Sequence, residues 1–173
     1  MHCYRVADRR YPFVWVTADQ PPGRWHAAGE GPCHYLASSA KGAWAEVIRH
    51  EEIVDVDDVL DLDLSLWGVE TPRPTEEPRL AHSTLTGDRG TYPACQEDGR
   101  RLRADGVGGL VAPTAAVLSG VAEQQSVGRD GSFVVTLVPT ETVVWFGAPH
   151  TLVAMPAAEG HPDPGVLSDV RPL

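Results

Sequence analysis

One segment of this 173-residue chain has a clear helical pattern, and it lies between residues 40 and 50. Its apolar face consists of Ala40, Ala43, Trp44, Val47 and Ile48, which recur every three or four residues. The other apolar stretches are short and β-prone, and helices do not alternate regularly with them. This arrangement favours an α+β fold with small mixed or antiparallel sheets and a few flanking helices over a doubly wound fold.

The predicted strands are the short segments rich in β-branched and apolar residues. They are residues 2–6, Pro12–Ala18, His34–Ala37, Val59–Leu64, Val107–Ala112, Ser132–Val138 and Thr142–Phe146. Residues 89–104 form a weaker helix prediction, which Pro93 and Gly99 interrupt, and residues 70–90 are expected to be mostly loop. We expect one domain over residues 1–154, followed by a frayed tail over residues 155–173, where prolines are frequent.

Charge and cysteine content restrict the classes of function. A net charge of −10 argues against a broad nucleic-acid or anionic-membrane surface, although it leaves room for a small basic pocket. The three cysteines have no CxxC spacing, which is typical of reduced thiols in a cytoplasmic protein. The chain lacks an apolar leader and an 18-residue apolar run, and its histidines show no metal-site spacing, so we expect neither a membrane anchor nor a metal.

Polar and aromatic residues of distinctive chemistry are concentrated in the first 50 positions. They are Tyr4, Arg5, Arg24, Trp25, Tyr35 and Glu46. Arginine binds phosphate bidentately, a carboxylate stabilises a sugar-like cation, and aromatic rings stack on flat heterocycles. Glu46 lies off the centre of the apolar stripe of its helix, so it can face a cleft beside that helix. Taken singly, Glu46 also fits an exposed helix position and Trp25 a packing role. Together, the set suits a nucleotide with phosphates and a labile glycosidic bond.

The order and spacing of these residues resemble the RES domain family, which is named for an arginine, a glutamate and a serine. The blocks that carry the resemblance are Tyr4-Arg5, Gly23-Arg24-Trp25, Tyr35-Leu36-Ala37, the helical Glu46 and the later Gly109–Ala115. It covers about residues 2–150. Where the family commonly reads Gly-Gly-Arg-Trp-Asn, this chain has Pro22 and His26 at the first and last positions. Thr114 stands in the serine position, and Ser119 is a second candidate for that role.

The resemblance implies an ADP-ribosyltransferase-like fold, with NAD⁺ as substrate and no prosthetic group or metal. Members of the family degrade NAD⁺, some by phosphorolysis with inorganic phosphate as co-substrate. They often act as toxins, and their partner is then an antitoxin with a helix-turn-helix domain that blocks the active site. The products would be nicotinamide and ADP-ribose-1″-phosphate, or ADP-ribose where water is the acceptor.

The resemblance also implies roles for individual residues. Glu46, Arg5 and Tyr35 would form the catalytic set, with Glu46 stabilising the cationic ribose and the arginines binding phosphates. The expected substrate-binding residues are Arg24, Trp25, Tyr4, Thr114 and Ser119. We therefore expect Glu46, Arg5 and Arg24 to share one pocket.

Three questions stay open at this point. The reaction could instead transfer ADP-ribose to another molecule. Thr114 in place of serine also fits a nucleotide-binding or partner-binding module that has lost turnover. Neither the oligomeric state, with a homo-oligomer as one option, nor a toxic as opposed to a metabolic role follows from the sequence.

Overall fold

Six strands form the larger sheet of the computed structural model, which describes residues 1–11, 13–14, 20–74 and 76–173. They are β1 (His2–Asp8), β2 (His34–Ala37), β3 (Leu64–Glu70), β4 (Gly109–Pro113), β7 (Glu141–Trp145) and β8 (Val153–Gly160). Their spatial order is β4-β7-β2-β1-β3-β8, and every neighbouring pair is antiparallel. Between β4 and β7 the chain forms a separate two-stranded ribbon, made of β5 (Val121–Val127) and β6 (Phe133–Pro139).

Four α-helices lie among these strands in the described chain. They are α1 (Ala40–His50), α2 (Val56–Leu60), α3 (His82–Thr86) and α4 (Tyr92–Ala104), with 3₁₀ turns at Arg89–Thr91, Pro149–Thr151 and Pro164–Asp169. Helix α1 begins at Ala40 because the Ser39 side chain accepts a hydrogen bond from the amide of Gly42. The predicted α+β class with small antiparallel sheets is confirmed.

The two faces of the larger sheet carry different residues, because side chains alternate along each strand. On the helix face, Ala37 and Leu66 pack against Ala43 and Trp44 of α1. Further along this face, Leu110 and Val144 belong to the core that includes Trp25 and residues of α4. The opposite face, here called the far face, carries a separate cluster of Cys3, Leu36, Val69, Val111, Val143 and Leu152.

Helix α4 confirms the weaker helix prediction, and its two unfavourable residues have structural explanations. Pro93 lies in the first turn, where its missing N–H removes no intrahelical hydrogen bond. A Cβ at Gly99 would lie 2.5 Å from the carbonyl oxygen of Trp25, so only glycine allows this close approach of α4 to the chain at Trp25.

Three predictions of local structure differ from the structure. In the predicted strand Val59–Leu64, Val59 and Leu60 belong to α2 instead, because the Asp55 side chain accepts from the amide of Asp57 and caps a helix there. Strand β3 begins only at Leu64. Strand β5 was not predicted, because most of its residues are polar and do not indicate a strand. It forms by pairing with β6. In the predicted strand Pro12–Ala18, residues 12 and 15–18 lie outside the described residues, and Phe13 and Val14 pack against the far-face cluster.

The prediction of a frayed tail over residues 155–173 is wrong. Strand β8 pairs with β3 from Val153 to Gly160, so backbone hydrogen bonds rather than apolar burial hold it. Pro156 is compatible with this strand because β8 is at the sheet edge and the register shifts next to it. Beyond it, Lys41 of α1 pairs with Asp169, with Nζ and Oδ2 at 2.5 Å. No helix in the described residues is both long enough and apolar enough to cross a membrane.

Candidate functional site

Glu46 is half-buried on α1 and lies in a cluster of charged side chains beside the helix face of the sheet. Its Oε1 lies 3.4 Å from the Thr142 hydroxyl, which can donate to it. Burial raises the pKa of Glu46, while the positive charges of Arg49 and Arg24 oppose that shift. The structure therefore holds a desolvated carboxylate next to two guanidinium groups.

Arg24 reaches this cluster from the turn before β2 and is buried, with 8 % exposed. Its guanidinium donates to the carbonyl of Thr84 (3.2 Å), the hydroxyl of Thr91 (3.0 Å) and the carbonyl of Gly87 (2.6 Å). Arg49 donates to the same Gly87 carbonyl at 3.3 Å, so the two guanidinium groups are neighbours. Arg24 thus orders residues 84–91 and at the same time places positive charge near Glu46.

Tyr35 fixes the turn that carries Arg24. Its hydroxyl accepts from the backbone amide of Trp25 and lies 2.9 Å from Nδ1 of His26. A Cβ at Gly23 would lie 2.5 Å from this hydroxyl, which explains the glycine at that position. Burial raises the pKa of Tyr35 well above its usual value, so the phenol stays protonated at neutral pH. These contacts use the Tyr35 hydroxyl to hold the turn, and its predicted catalytic role stays a prediction.

Arg5 does not join the cluster, which corrects the expectation that three groups share one pocket. It lies between Tyr4 and Val6 of β1, which pack on the helix face, so its side chain leaves the strand on the far face. One Nη1 hydrogen bond goes to the carbonyl of Tyr35 at 3.1 Å. Burial lowers the pKa of His34 to about 4, and the positive charge of Arg5 adds to that shift. Arg5 therefore acts on His34, whereas Arg24 acts on Glu46.

Trp25 and Tyr4, the two aromatic residues expected to bind substrate, both contact apolar core clusters, and only Trp25 is fully buried. Trp25 is 1 % exposed and lies in the core between the sheet and α4, which leaves no ring face for a heterocycle. Tyr4 packs against the apolar cluster that includes Trp44. The packing of Trp25 does not favour the predicted stacking on substrate, and the predicted role of Tyr4 in binding stays a prediction.

A cavity of about 520 Å³ lies next to the charged cluster. Leu85 and Thr86 line it, and the next residue, Gly87, accepts the hydrogen bonds of both arginines of the cluster. Arg171 lines the same cavity. Its volume lies within the range of small-molecule and cofactor sites.

Thr114 and Ser119, the two candidates for the serine position, both line this cavity. Thr114 is 3 % exposed, and its hydroxyl oxygen accepts from the amide of Ala116 at 3.1 Å. The Ser119 hydroxyl is exposed and donates to Asp169. Thr114 is therefore the better-placed of the two, because its hydroxyl proton is not used by that hydrogen bond.

Two residues of the site, Arg49 and Arg171, were not identified from the sequence. Arg49 follows Glu46 by three positions, and this spacing places both residues on one side of α1. The spacing could therefore have identified Arg49 as a neighbour of Glu46. Arg171 had no such signal, because it reaches the cavity only through pairing of the C-terminal segment. There the amide of Arg171 donates to the carbonyl of Ala116 at 2.7 Å, and Val170 forms a bridge with Val117.

Neither a metal nor a reactive thiol is indicated within the described chain. No group of three or more histidine, cysteine, aspartate or glutamate side chains comes together there in a way that could hold a metal ion. The three cysteines are buried and free, and burial raises the pKa of Cys3 and of Cys33 to about 11.

Comparison with known proteins gives the fold and the family of this chain. The structure is similar to the crystal structure of the M. tuberculosis MbcT–MbcA toxin–antitoxin complex, with a TM-score of 0.62 and 17 % identity over 96 % of this chain and 86 % of that chain. A search of curated proteins found no match. The model of the RES domain matches residues 2–123, which include Arg5, Arg24, Tyr35 and Glu46. The chain belongs to the RES domain family.

Proposed function

We propose that this protein degrades NAD⁺ by cleaving the bond between nicotinamide and ribose, with Glu46 as the catalytic carboxylate. The observation that carries the proposal is the position of Glu46, desolvated and flanked by Arg24 and Arg49 beside a cavity of about 520 Å³. A carboxylate in such a place interacts strongly with positive charge that develops close to it, because water does not screen the interaction.

The chemistry needs little more than that carboxylate. When the C1″–N bond breaks, both of its electrons go to the pyridinium nitrogen, and nicotinamide leaves as a neutral molecule. The positive charge moves to the ribose as an oxocarbenium ion, which ionised Glu46 stabilises. Arg24 and Arg49 keep Glu46 ionised by opposing the effect of burial on its pKa.

We further propose that inorganic phosphate is the acceptor, as the family resemblance implies. A phosphate oxygen attacks C1″ of the cation and forms ADP-ribose-1″-phosphate, and water in the same position would give ADP-ribose. Arginine groups near the reacting carbon support a phosphate acceptor, because they pair with its oxygens more strongly than with water.

A biological role as a toxin follows as a proposal from the structural neighbour, which is a toxin in complex with its antitoxin. By analogy, we propose a protein antitoxin as partner, of the helix-turn-helix kind that the family resemblance implies. Such a partner would inhibit NAD⁺ cleavage most directly by covering the cavity beside Glu46.

The experiment that tests the function incubates pure protein with NAD⁺, with and without phosphate, and separates the products. We expect NAD⁺ loss, with a phosphorylated sugar nucleotide that forms only when phosphate is present. Glu46→Gln should abolish most of this loss. The matched control is Glu51→Gln at the C-terminal end of the same helix, where the glutamate side chain is 67 % exposed.

The alternatives give different products in the same experiment. ADP-ribosyl transfer would add mass to a protein or small-molecule acceptor that is offered with NAD⁺. A binding module would retain NAD⁺ without consuming it, and Thr114→Ser would then restore turnover if the loss of the serine had inactivated the site. Absence of NAD⁺ loss in every form of the protein would contradict the proposed function.

A further inference from the structure

Arg171 lines the cavity, and Arg49 bonds to Gly87, the residue after the lining residue Thr86. Both guanidinium groups have a donor atom that the described residues leave without an acceptor. Arg49 is 5 % exposed, and its Nε lacks a hydrogen-bond partner within the described part of the chain, as does the Nε of Arg171. Buried donors on charged groups are costly to leave unpaired and are rarely found so. The Nε atoms of Arg5 and Arg103 also lack a partner in the described chain. Arg49 and Arg171 differ from them in lying beside the cavity, where a ligand can supply acceptor oxygens.

The charge balance around these groups favours an anion. Arg24 and Arg49 meet at the carbonyl of Gly87, and Arg171 is close enough to Arg49 to act on its charge. Glu46 is the carboxylate that acts on Arg49, and Arg24 and Arg49 are the arginines that act on Glu46, so arginine outnumbers carboxylate here. In a chain of net charge −10, this concentration of arginine is a local exception that a bound anion would neutralise.

The C-terminal segment holds Arg171 at the cavity wall. Its backbone amide bonds to Ala116, and Asp169, two residues earlier, pairs with both Lys41 and Ser119. The cavity also contains Glu77 and Glu141, and Glu141 lies 4.0 Å from Arg73. The attraction for an anion is therefore confined to the arginine end of the cavity.

We propose that Arg49 and Arg171 form a phosphate-binding subsite at the end of the cavity beside Glu46. The ligand is a phosphate group, whose oxygens match the fork of guanidinium donors, either as free inorganic phosphate or as part of a nucleotide. The reaction that the subsite serves rests on the proposed function, whereas binding itself does not. Arg171 lies C-terminal to the segment that the family model matches, so the subsite uses an element outside that segment.

Calorimetric titration with inorganic phosphate, at constant ionic strength, tests this inference without any turnover. We expect saturable binding to the wild type that Arg171→Gln weakens by about ten- to a hundredfold, the usual loss for a hydrogen bond to a charged group. Arg171→Lys should weaken binding less, because it keeps the charge. The matched control, Arg129→Gln, removes an exposed arginine from the turn of the β5–β6 ribbon and should bind like the wild type.

A second titration with ADP-ribose separates the two sources of the phosphate. Competition between ADP-ribose and phosphate would support a subsite for the nucleotide's own phosphates, and simultaneous binding would support one for the free co-substrate. Equal affinity of phosphate for wild type, Arg171→Gln and Arg129→Gln would overturn the proposal. So would the absence of saturable binding of both ligands to the wild type.

Failure of the subsite and failure of the proposed function can be told apart. Phosphate binding that depends on Arg171, in a protein that leaves NAD⁺ intact, supports the subsite and contradicts the function. NAD⁺ loss with KM values for phosphate and for NAD⁺ that are both unchanged in Arg171→Gln contradicts the subsite and supports the function. Thermal unfolding of each variant ensures that only folded protein is compared.

Discussion

Arg5 and Arg24 are both buried arginines from the N-terminal blocks, yet the structure puts them to different uses. Arg24 bonds to three groups of residues 84–91 and acts electrostatically on Glu46. Arg5 makes one hydrogen bond, to the carbonyl of Tyr35, and acts on His34 across the far face. The comparison shows that the order of residues along a chain does not decide which face of a sheet they share.

The two arginines are nevertheless connected through Tyr35. Arg5 bonds to the backbone of Tyr35, and the hydroxyl of Tyr35 holds the amide of Trp25, the residue after Arg24. We therefore propose that Arg5 and Tyr35 act as positioning residues for the turn that carries Arg24. Under the proposed function, Glu46 is the group that acts on the substrate, with Arg24 and Arg49 beside it.

The largest expected effect is that of Glu46→Gln on activity. Removing the carboxylate from the site of developing charge should lower kcat for NAD⁺ cleavage by about 10²–10³-fold. Because the pKa of Glu46 is raised in the folded state, its protonated form contributes stability at low pH that is lost as pH rises through that pKa. The neutral variant should therefore have a Tm at pH 7 no lower than that of the wild type, and a large fall in Tm would contradict this reading.

Arg24→Gln should cost activity and local order together. Residues 84–91 lose the donors that tie them to the turn before β2, and Glu46 loses a neighbouring positive charge. We expect kcat/KM to fall about 10- to 100-fold, with faster amide hydrogen exchange in residues 84–91. An exchange pattern identical to that of the wild type would show that Arg24 does not order this segment.

The pH dependence of cleavage should show the raised pKa of Glu46. The ionised carboxylate is the active form, so activity should fall about tenfold per pH unit as pH drops below that pKa. Since burial raises the pKa above the usual 4.5, the acid limb of kcat should have its midpoint above pH 4.5. A midpoint below 4.5, with the protein still folded by circular dichroism, would contradict the assigned role.

Tyr35→Phe is expected to have the smallest effect on chemistry. The amide of Trp25 and the ring of His26 lose their hydroxyl partner in the interior, which should lower the free energy of unfolding by about 1–3 kcal/mol. Activity per folded molecule should fall only a few-fold. Tyr4→Phe is the control, because Tyr4 packs through its ring, and denaturant titration compares the two variants.

Local pattern was enough to predict α1 and the off-centre position of Glu46 on it, because both depend on periodicity within one segment. The environments of Trp25 and Arg5 depend on what α4 and the neighbouring strands cover, and no local pattern contains that. Arg171 is the extreme case, since it meets the site only after β8 and the C-terminal segment have folded back onto the sheet and α1.

The most direct test of the account compares kcat for NAD⁺ cleavage by Glu46→Gln and Arg5→Gln, each corrected for its folded fraction. The account predicts a loss of about 10²–10³-fold for Glu46→Gln and of less than about tenfold for Arg5→Gln, whose main effect should be a lower Tm. Arg5→Gln could instead keep a native Tm and lose as much activity as Glu46→Gln. Arg5 would then be a catalytic residue and not a positioning residue, and the catalytic centre would have been assigned wrongly.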